Sequence, residues 1–375
     1  MFAEITIDNF KCFGLPQTFH FSKVNVFSGF NGRGKSTVLQ SLLLVAQSYY
    51  KNDTLELLET KGNFCNLGLF VDLLSFGTEK NHISFSFKGD KKDDKELKLV
   101  YREKDDRVGR LSELWIDKKN YIEGRSDLEG SKKTEEATFW NYPKEVEAYF
   151  KSIRYISANR QGPTIFEVKD EVNQFNPVGV NGEHILNMIA GNKSLQEKIS
   201  SIVSRIMDGG EIDIIGDQDK NIDVLSLFFK NTFAKQESKI KSINFGFGYT
   251  YVLPIIIAAS TMTDGILIIE NPEAHLHPRA QSKLIKELVL LANENNVQLF
   301  IESHSEHIVN AVRLCTLCEK YKINNNDVKI YFFGKDMSVK LLKLSPEAQI
   351  SEWPYGFFDQ QEKDVAEILR LGLLK

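Results

Sequence analysis

The sequence predicts an α/β fold whose core strands come from both ends of the chain. Three observations carry that prediction. Near the N-terminus, a strand (Lys23–Phe27) runs into a Gly-rich turn (Ser28–Gly34) and then an amphipathic helix, with Val38, Leu39, Leu42, Leu43 and Ala46 at helical spacing. After Thr263, short apolar strands alternate with a helix: Ile266–Ile269, Gln281–Asn293, Val297–Ile301 and Val328–Phe333. Between these ends, from Asn81 to Asp117, the hydrophobic pattern switches to period two.

Composition bounds the rest. A length of 375 residues allows one large domain or two lobes. With 26 Phe and 12 Tyr, too much apolar surface exists for the chain to stay disordered. Lys and Arg number 47 against 51 Asp and Glu, a net charge of −4, which excludes a generally basic nucleic-acid coat but not a local basic patch. The opening Met1–Ile5 shows no basic-then-apolar leader, and the most apolar stretch, Tyr251–Ala259, is interrupted by Pro254 and far shorter than the ~20 residues of a membrane span. A cytoplasmic protein with no membrane contact is expected. Four cysteines (Cys12, Cys65, Cys315, Cys318) suggest no disulfide framework, and the Cys315–Cys318 pair lacks nearby ligands for zinc.

In chain order, Ile5 and Ile7, then Phe19 and Phe21, alternate with polar residues as strands do. Ile83, Phe85 and Phe87, then Leu97, Leu99 and Tyr101, predict an antiparallel meander over Asn81–Asp117, with the mixed-charge run Lys88–Glu96 at a hairpin tip. Lys118–Thr138 reads as a mobile polar loop. A helix from Ser194 places Leu195, Ile199, Ile202, Val203 and Ile206 on one face and stops at Asp208-Gly209-Gly210. Strands follow at Glu211–Ile215, Ile222–Phe228 and Lys239–Ile243.

Gly29-Phe30-Asn31-Gly32-Arg33-Gly34-Lys35-Ser36 fits G-x-x-x-x-G-K-[ST], the P-loop. Glycines let successive backbone N–H groups point inward around phosphate oxygens; Lys35 would reach the β and γ phosphates, the Ser36 hydroxyl would ligate Mg²⁺, and the following helix adds its dipole. Such a loop needs an acid at the end of a neighbouring strand, and Ile266–Glu270 supplies one. The continuation is Asn271-Pro272-Glu273-Ala274-His275-Leu276-His277-Pro278, and a later strand ends in Glu302-Ser303-His304-Ser305. Asn244–Thr250 is a second glycine-bearing turn feeding a helix.

This set resembles the ABC-type ATPase heads of the RecF, SMC and OLD group, and within it the bacterial predicted ATPases that carry an Asn-Pro-Glu-Ala-His-Leu-His-Pro box. The resemblance begins at Asn9–Phe13, includes Ile156–Pro163, Gly246–Gly248 and Leu253-Pro254, and ends at Trp353–Gln360, which looks like the uncharacterised C-terminal domain of these ATPases. It implies a P-loop ABC-type ATPase head with an antiparallel β subdomain and an inserted helical lobe, one domain over 1–375. Its parts would be 1–78 with the P-loop, 79–260 with the meander and signature-like motif, 261–335 with the acid strand and switch histidine, and a tail over 336–375. It implies ATP and Mg²⁺ as cofactors, with Gly29, Asn31, Gly32, Arg33, Gly34, Lys35, Ser36 and Thr37 around the nucleotide. Ser36 and Glu270 would hold Mg²⁺, and His304 matches the switch histidine. Gly246, Gly248 and Thr250 match a degenerate signature contacting the nucleotide of a second subunit, with His275–Pro278 at the dimer contact. A head-to-head homodimer or higher homo-oligomer around ATP follows from the family.

One departure matters. Many relatives place a second Glu, the catalytic base, where this chain has Asn271. An amide cannot accept a proton, so slow hydrolysis is expected unless Glu273 or a histidine substitutes. Relatives in antiphage systems, Septu-like and retron-associated, suggest a sensor that regulates a separate nuclease or toxin effector. The alternatives are a RecF-like repair ATPase that binds DNA directly, which the net charge does not support, a metal hydrolase using His275, His277, His304 and His307 with Glu273 and Glu302, and an OLD-type nuclease, for which the residues after His304 are few. Arg160 reads first as structural, Lys11 as an exposed strand-end lysine, and Trp353 with Phe357-Phe358 as core or docking anchors.

Overall fold

The computed structural model describes residues 1–91, 94–122, 143–162, 164, 166–169, 176–215, 224–230 and 239–373. Its strands are β1 (Phe2–Asp8), β2 (Gln17–His20), β3 (Val24–Gly29), β4 (Leu57–Glu59), β5 (His82–Gly89), β6 (Leu97–Asp105), β7 (Val108–Ile116), β8 (Lys119–Asn120), β9 (Ile153–Ile156), β10 (Glu167–Val168), β11 (Glu211–Ile215), β12 (Val224–Lys230), β13 (Lys239–Lys241), β14 (Gly265–Glu270), β15 (Val297–Glu302), β16 (Val328–Phe333) and β17 (Val339–Leu342). The α-helices are α1 (Lys35–Asn52), α2 (Ile185–Ile189), α3 (Lys193–Met207), α4 (Phe247–Thr261), α5 (Pro278–Glu294), α6 (Glu306–Leu317) and α7 (Gln360–Gly372). Two compact units result: Met1–Phe21 with Ser36–Ile153, and Ser22–Lys35 with Arg154–Lys375.

The first unit holds a seven-stranded sheet in the order β2-β1-β5-β6-β7-β4, with β8 added to β7. Every described pairing in it is antiparallel, as the alternating pattern requires. Register brings Ile7 opposite Phe85, Phe85 opposite Leu99, and Leu99 opposite Leu114. All four are fully buried, so one apolar row crosses four strands. Asn9, fully buried with φ +55°, ties down the chain end of β1. Its amide donates to the Lys80 and His82 carbonyls, and its Oδ1 accepts from Ser75 N–H and the Thr78 hydroxyl. Asn is the residue type that tolerates this left-handed backbone while satisfying four partners. Lys11 is not the exposed strand-end lysine that its sequence position suggests: its Nζ donates to Gln40 Oε1 at 2.6 Å, and burial lowers its pKa. β8 occupies the start of the predicted loop over 118–138; positions 123–138 lie outside the described residues, as do 92 and 93 at the hairpin tip.

The second unit contains a six-stranded sheet in the order β17-β16-β3-β15-β14-β9. β3 is parallel to both β15 and β16, and β15 to β14. These strands are continuous apolar runs, buried along nearly their whole length, which fits a sheet covered on both faces. A buried Asn25 sits inside β3; its amide donates to the Ser22 and Leu299 carbonyls, fastening β3 to β15. A smaller antiparallel sheet joins β10, β12 and β11, with β13 on β12.

Helix ends follow local chemistry. Asn192 caps α3 by accepting from Leu195 N–H, and Asp208 itself takes the left-handed C-cap at φ +60° ahead of the glycines. β13 stops at Lys241, short of the predicted Ile243, because Ser242–Asn244 turns into a 3₁₀ helix. Residues 222 and 223 of the strand predicted at Ile222–Phe228 lie outside the described residues.

The row through Phe85 makes a simple forecast. Phe85→Ala should cost about 3–5 kcal/mol of stability, read from the denaturant midpoint; an unchanged midpoint would show that the row is not core.

Candidate functional site

Three parallel strands deliver the predicted site residues to one edge of the second unit's sheet. Register places Glu270 opposite Glu302, Glu302 opposite Phe27, and Phe333 opposite Gly29. The ends of β14, β15, β3 and β16 therefore line up, and the loops that leave them converge.

The loop after β3 has the backbone its glycines permit. Gly29, Gly32 and Gly34 have φ of +126°, +68° and +104°. A Cβ on Gly29 would lie 2.3 Å from the Phe333 carbonyl oxygen, so that position also needs glycine for space. Lys35 is buried, and its ammonium donates to the carbonyls of Phe30 at 2.8 Å and Gly29 at 3.2 Å. Burial lowers its pKa while the Glu302 charge opposes the fall. Arg33 Nε is buried with no hydrogen-bond partner among the described residues. Ser36 and Thr37 follow at once as the first turn of the 18-residue helix α1. Three left-handed glycines, a buried cation and an unpaired buried donor together suit a polyphosphate.

The two carboxylates at the strand ends differ in surroundings. Glu270 faces the β9 side. Burial raises its pKa, against donation by the Tyr155 hydroxyl and Ala158 N–H and the charge of Arg160. Glu302, buried, is the carboxylate whose charge acts on Lys35. Sequence reasoning assigns Glu302 only to the metal hydrolase; its place at the end of an apolar strand, one residue before the Ser-His-Ser turn, is the signal that could have found it. Both acids are hard oxygen donors of the kind Mg²⁺ takes.

Arg160 proves central. It is buried, and its guanidinium donates from Nη1 to the carbonyls of Ser157 (3.0 Å) and Glu270 (2.8 Å), and from Nη2 to that of Asn271 (2.6 Å). Burial depresses its pKa to about 10, with Glu273 the largest opposing charge. Asn271 sits at φ +46° and donates its N–H to the Glu302 carbonyl at 2.8 Å. The turn after β14 is thus held from both sides. Glu273 Oε1 accepts from His304 N–H at 2.7 Å, while Glu273 Oε2 is buried with no hydrogen-bond partner among the described residues. Burial, then the Lys35 charge, pushes the His304 pKa down, so its neutral imidazole persists below the usual 6.5.

The signature-like turn and the histidine box meet. A Cβ on Gly248 would stand 3.0 Å from the His275 carbonyl oxygen. The His275 ring lies 4.5 Å from Tyr251 and 5.7 Å from the exposed Phe247, and Arg160 lies over Tyr251 at 5.4 Å. Gly246 caps α4 without a side-chain hydrogen bond. Thr250 turns inward: it is buried, and its hydroxyl donates to the Phe247 carbonyl. His277 caps α5, its Nδ1 accepting from Arg279 N–H. His307, on α6, is exposed.

Comparison with known proteins finds two matching families and similar folds. The family described as AAA ATPase domain matches residues 1–309. The one described as Protein of unknown function (DUF3696) matches residues 323–368. None of the curated proteins matches the chain. Among solved structures, an SmcHead bound to the C-winged helix domain of ScpA is similar at TM-score 0.54 and 12% identity, over 92% of this chain and 98% of that one. An Smc head domain with an extended coiled coil bound to the C-terminal domain of ScpA, derived from Pyrococcus furiosus, is similar at TM-score 0.53 and 12% identity, over 98% of this chain and 99% of that one. At such identities the likeness concerns the fold: the P-loop α/β fold of SMC ATPase heads. No helix among the described residues is long and apolar enough to cross a membrane.

Glu270 gives a test by linkage. Its raised folded-state pKa means the folded chain holds that proton more tightly than the unfolded chain. The stabilisation is full below the usual 4.5 and is lost as pH rises through the raised value. Glu270→Gln removes the buried charge and keeps an acceptor for Tyr155. Without nucleotide it should melt above wild type at neutral pH, with the gap narrowing toward pH 4.5. A lower melting temperature at neutral pH would contradict the burial argument.

Proposed function

The chain belongs to the AAA ATPase domain family, and from that premise we propose that it is a slow ATPase acting as a switch. It binds Mg²⁺ and ATP, pairs head-to-head with a second copy around the nucleotide, and regulates a separate effector protein in a bacterial antiphage defence system. The observation that carries this reading is Asn271. It occupies the position after the strand-end acid, with its backbone clamped by Arg160 and by the Glu302 carbonyl. The turn is hydrogen-bonded on both sides, which suits positioning chemistry, yet the side chain there is an amide.

In this reading the phosphate loop from Gly29 to Gly34 cradles the phosphates, with Asn31 and Arg33 at its rim and Thr37 supporting the helix start. Lys35 places its charge at the β and γ phosphates. Ser36 and Glu270 hold Mg²⁺, with Glu302 beside Lys35 balancing the charge. Bound Mg²⁺ would neutralise charge on the β- and γ-phosphate oxygens as it develops. His304, kept neutral, donates to the terminal phosphate. Asn271 orients water without taking its proton. Glu273 Oε2 is the substitute base nearest in the chain, and its other oxygen is committed to the His304 turn. A base so tied supports low turnover.

The second copy is expected at the exposed Gly246 and Phe247, ahead of the buried Gly248, and at the neighbouring His275. Support for a protein partner comes from the similar Smc heads, each described as bound to a ScpA domain, and from the aromatic exposure of Trp353 and Tyr355. The antiphage setting rests on the Asn271–Pro278 box and its resemblance to such ATPases.

Steady-state hydrolysis by the purified chain tests the reading. Slow turnover is expected, and Asn271→Glu should raise it by about 10²-fold, the low end of a general base's contribution. Turnover on the order of tens per second by the unaltered chain, within the ordinary enzyme range, would overturn it. The mass in saturating Mg·ATP should be that of a dimer or larger; a monomer would remove the head-to-head assembly.

A further inference from the structure

The C-terminal segment after β17 reaches the phosphate loop. A cavity of about 330 Å³ lies where β3 ends, and its lining includes Gly29 and Phe30 of the loop, His304, and Tyr355, Asp359 and Lys363 of the C-terminal segment. The close approach is specific. Gly356 has φ +83°, and a Cβ there would lie 2.3 Å from Phe30 Cζ. Its N–H donates to Asp359 Oδ2 at 3.0 Å. Phe357 is buried against Phe332 of β16, ring centroids 5.4 Å apart, which anchors the turn to the strand beside the loop. Lys363 lies one helical turn into α7. Its ammonium sits 3.7 Å over the Tyr355 ring and 2.7 Å from Asp359 Oδ2. The side chain is partly exposed, yet the ring and the carboxylate hold it on the cavity's lining.

We propose that Lys363 is a phosphate-binding residue of the nucleotide site, supplied by the C-terminal segment that Gly356 seats against Phe30. This deepens the function proposed above and rests on ATP binding at the P-loop. Gly29 and Phe30, whose carbonyls accept from the Lys35 ammonium, line the cavity together with His304. Lys35 in such a loop serves the β and γ phosphates. The cavity is therefore on the terminal-phosphate side, and a cation there distinguishes a nucleoside triphosphate from a diphosphate. An Asp359–Lys363 pair at i, i+4 on an exposed helix start would by itself contribute little. Its placement at the mouth of this cavity, with an aromatic shelf beneath the ammonium, gives it a role in binding.

The experiment measures equilibrium binding of a fluorescent non-hydrolysable ATP analogue and of the matching ADP, each with Mg²⁺. Wild type, Lys363→Gln, Lys363→Arg and Gly356→Ala are compared. Lys363→Gln should weaken the triphosphate by about tenfold or more, the loss expected of one charge-assisted contact, and leave the diphosphate within about twofold. Lys363→Arg should restore most of the difference. Gly356→Ala, which displaces the segment, should reproduce the selective loss. Equal affinities of wild type and Lys363→Gln for the triphosphate, or equal losses for both nucleotides, would overturn the proposal. Failure of wild type to bind either nucleotide would instead sink the ATP-switch reading.

Discussion

The register of three parallel strands is the constraint on which the rest depends. Pairing of β14 with β15 and of β15 with β3 sets Glu270 and Glu302 side by side and both beside the start of the phosphate loop. A slip of one residue in either pairing would turn these carboxylates to the other face and bury polar groups in an apolar sheet. Asn25, whose buried amide donates across to Leu299 of β15, is one device that holds the register. Burial of the strands on both faces supplies the force. Because ligands of such sheets bind beyond the carboxyl ends of the strands, the same register decides where chemistry can occur.

A second layer of order comes from one guanidinium. Arg160 satisfies the carbonyls of Glu270 and Asn271 and carries charge into a site that also holds Glu270 and Glu273. The turn it clamps contains a left-handed Asn and a left-handed His, Asn271 and His275, conformations that persist only where surroundings enforce them. Charges pressed into low-dielectric surroundings, Lys35, Glu270 and Arg160, all depart from their usual pKa in the direction burial dictates. Clustering of such groups at one sheet edge is what a functional site looks like in physical terms.

Much of this is legible in the residues. The strand–loop–helix unit, the period-two meander and the apolar strands of the second half follow from pattern alone, and the structure has them where the pattern puts them. Less legible are features that depend on distant parts of the chain meeting. Arg160 looks structural in sequence because nothing near it reveals that it binds the turn at Asn271. Glu302 looks incidental because only the parallel register sets it beside Lys35. Thr250 matches a motif, yet its hydroxyl closes onto its own helix. Gly356 shows no signal in sequence, since its need for glycine comes from Phe30, hundreds of positions away. Local chemistry writes the elements; long-range packing assigns the roles.

The central claim is that this sheet edge binds Mg·ATP through Lys35. Calorimetric titration of Mg·ATP into the purified chain, beside Lys35→Ala, tests it most directly. One site per chain is predicted for wild type, with heat and affinity lost in the variant while its melting temperature without nucleotide stays near wild type. Undiminished ATP affinity in a folded Lys35→Ala would contradict the account.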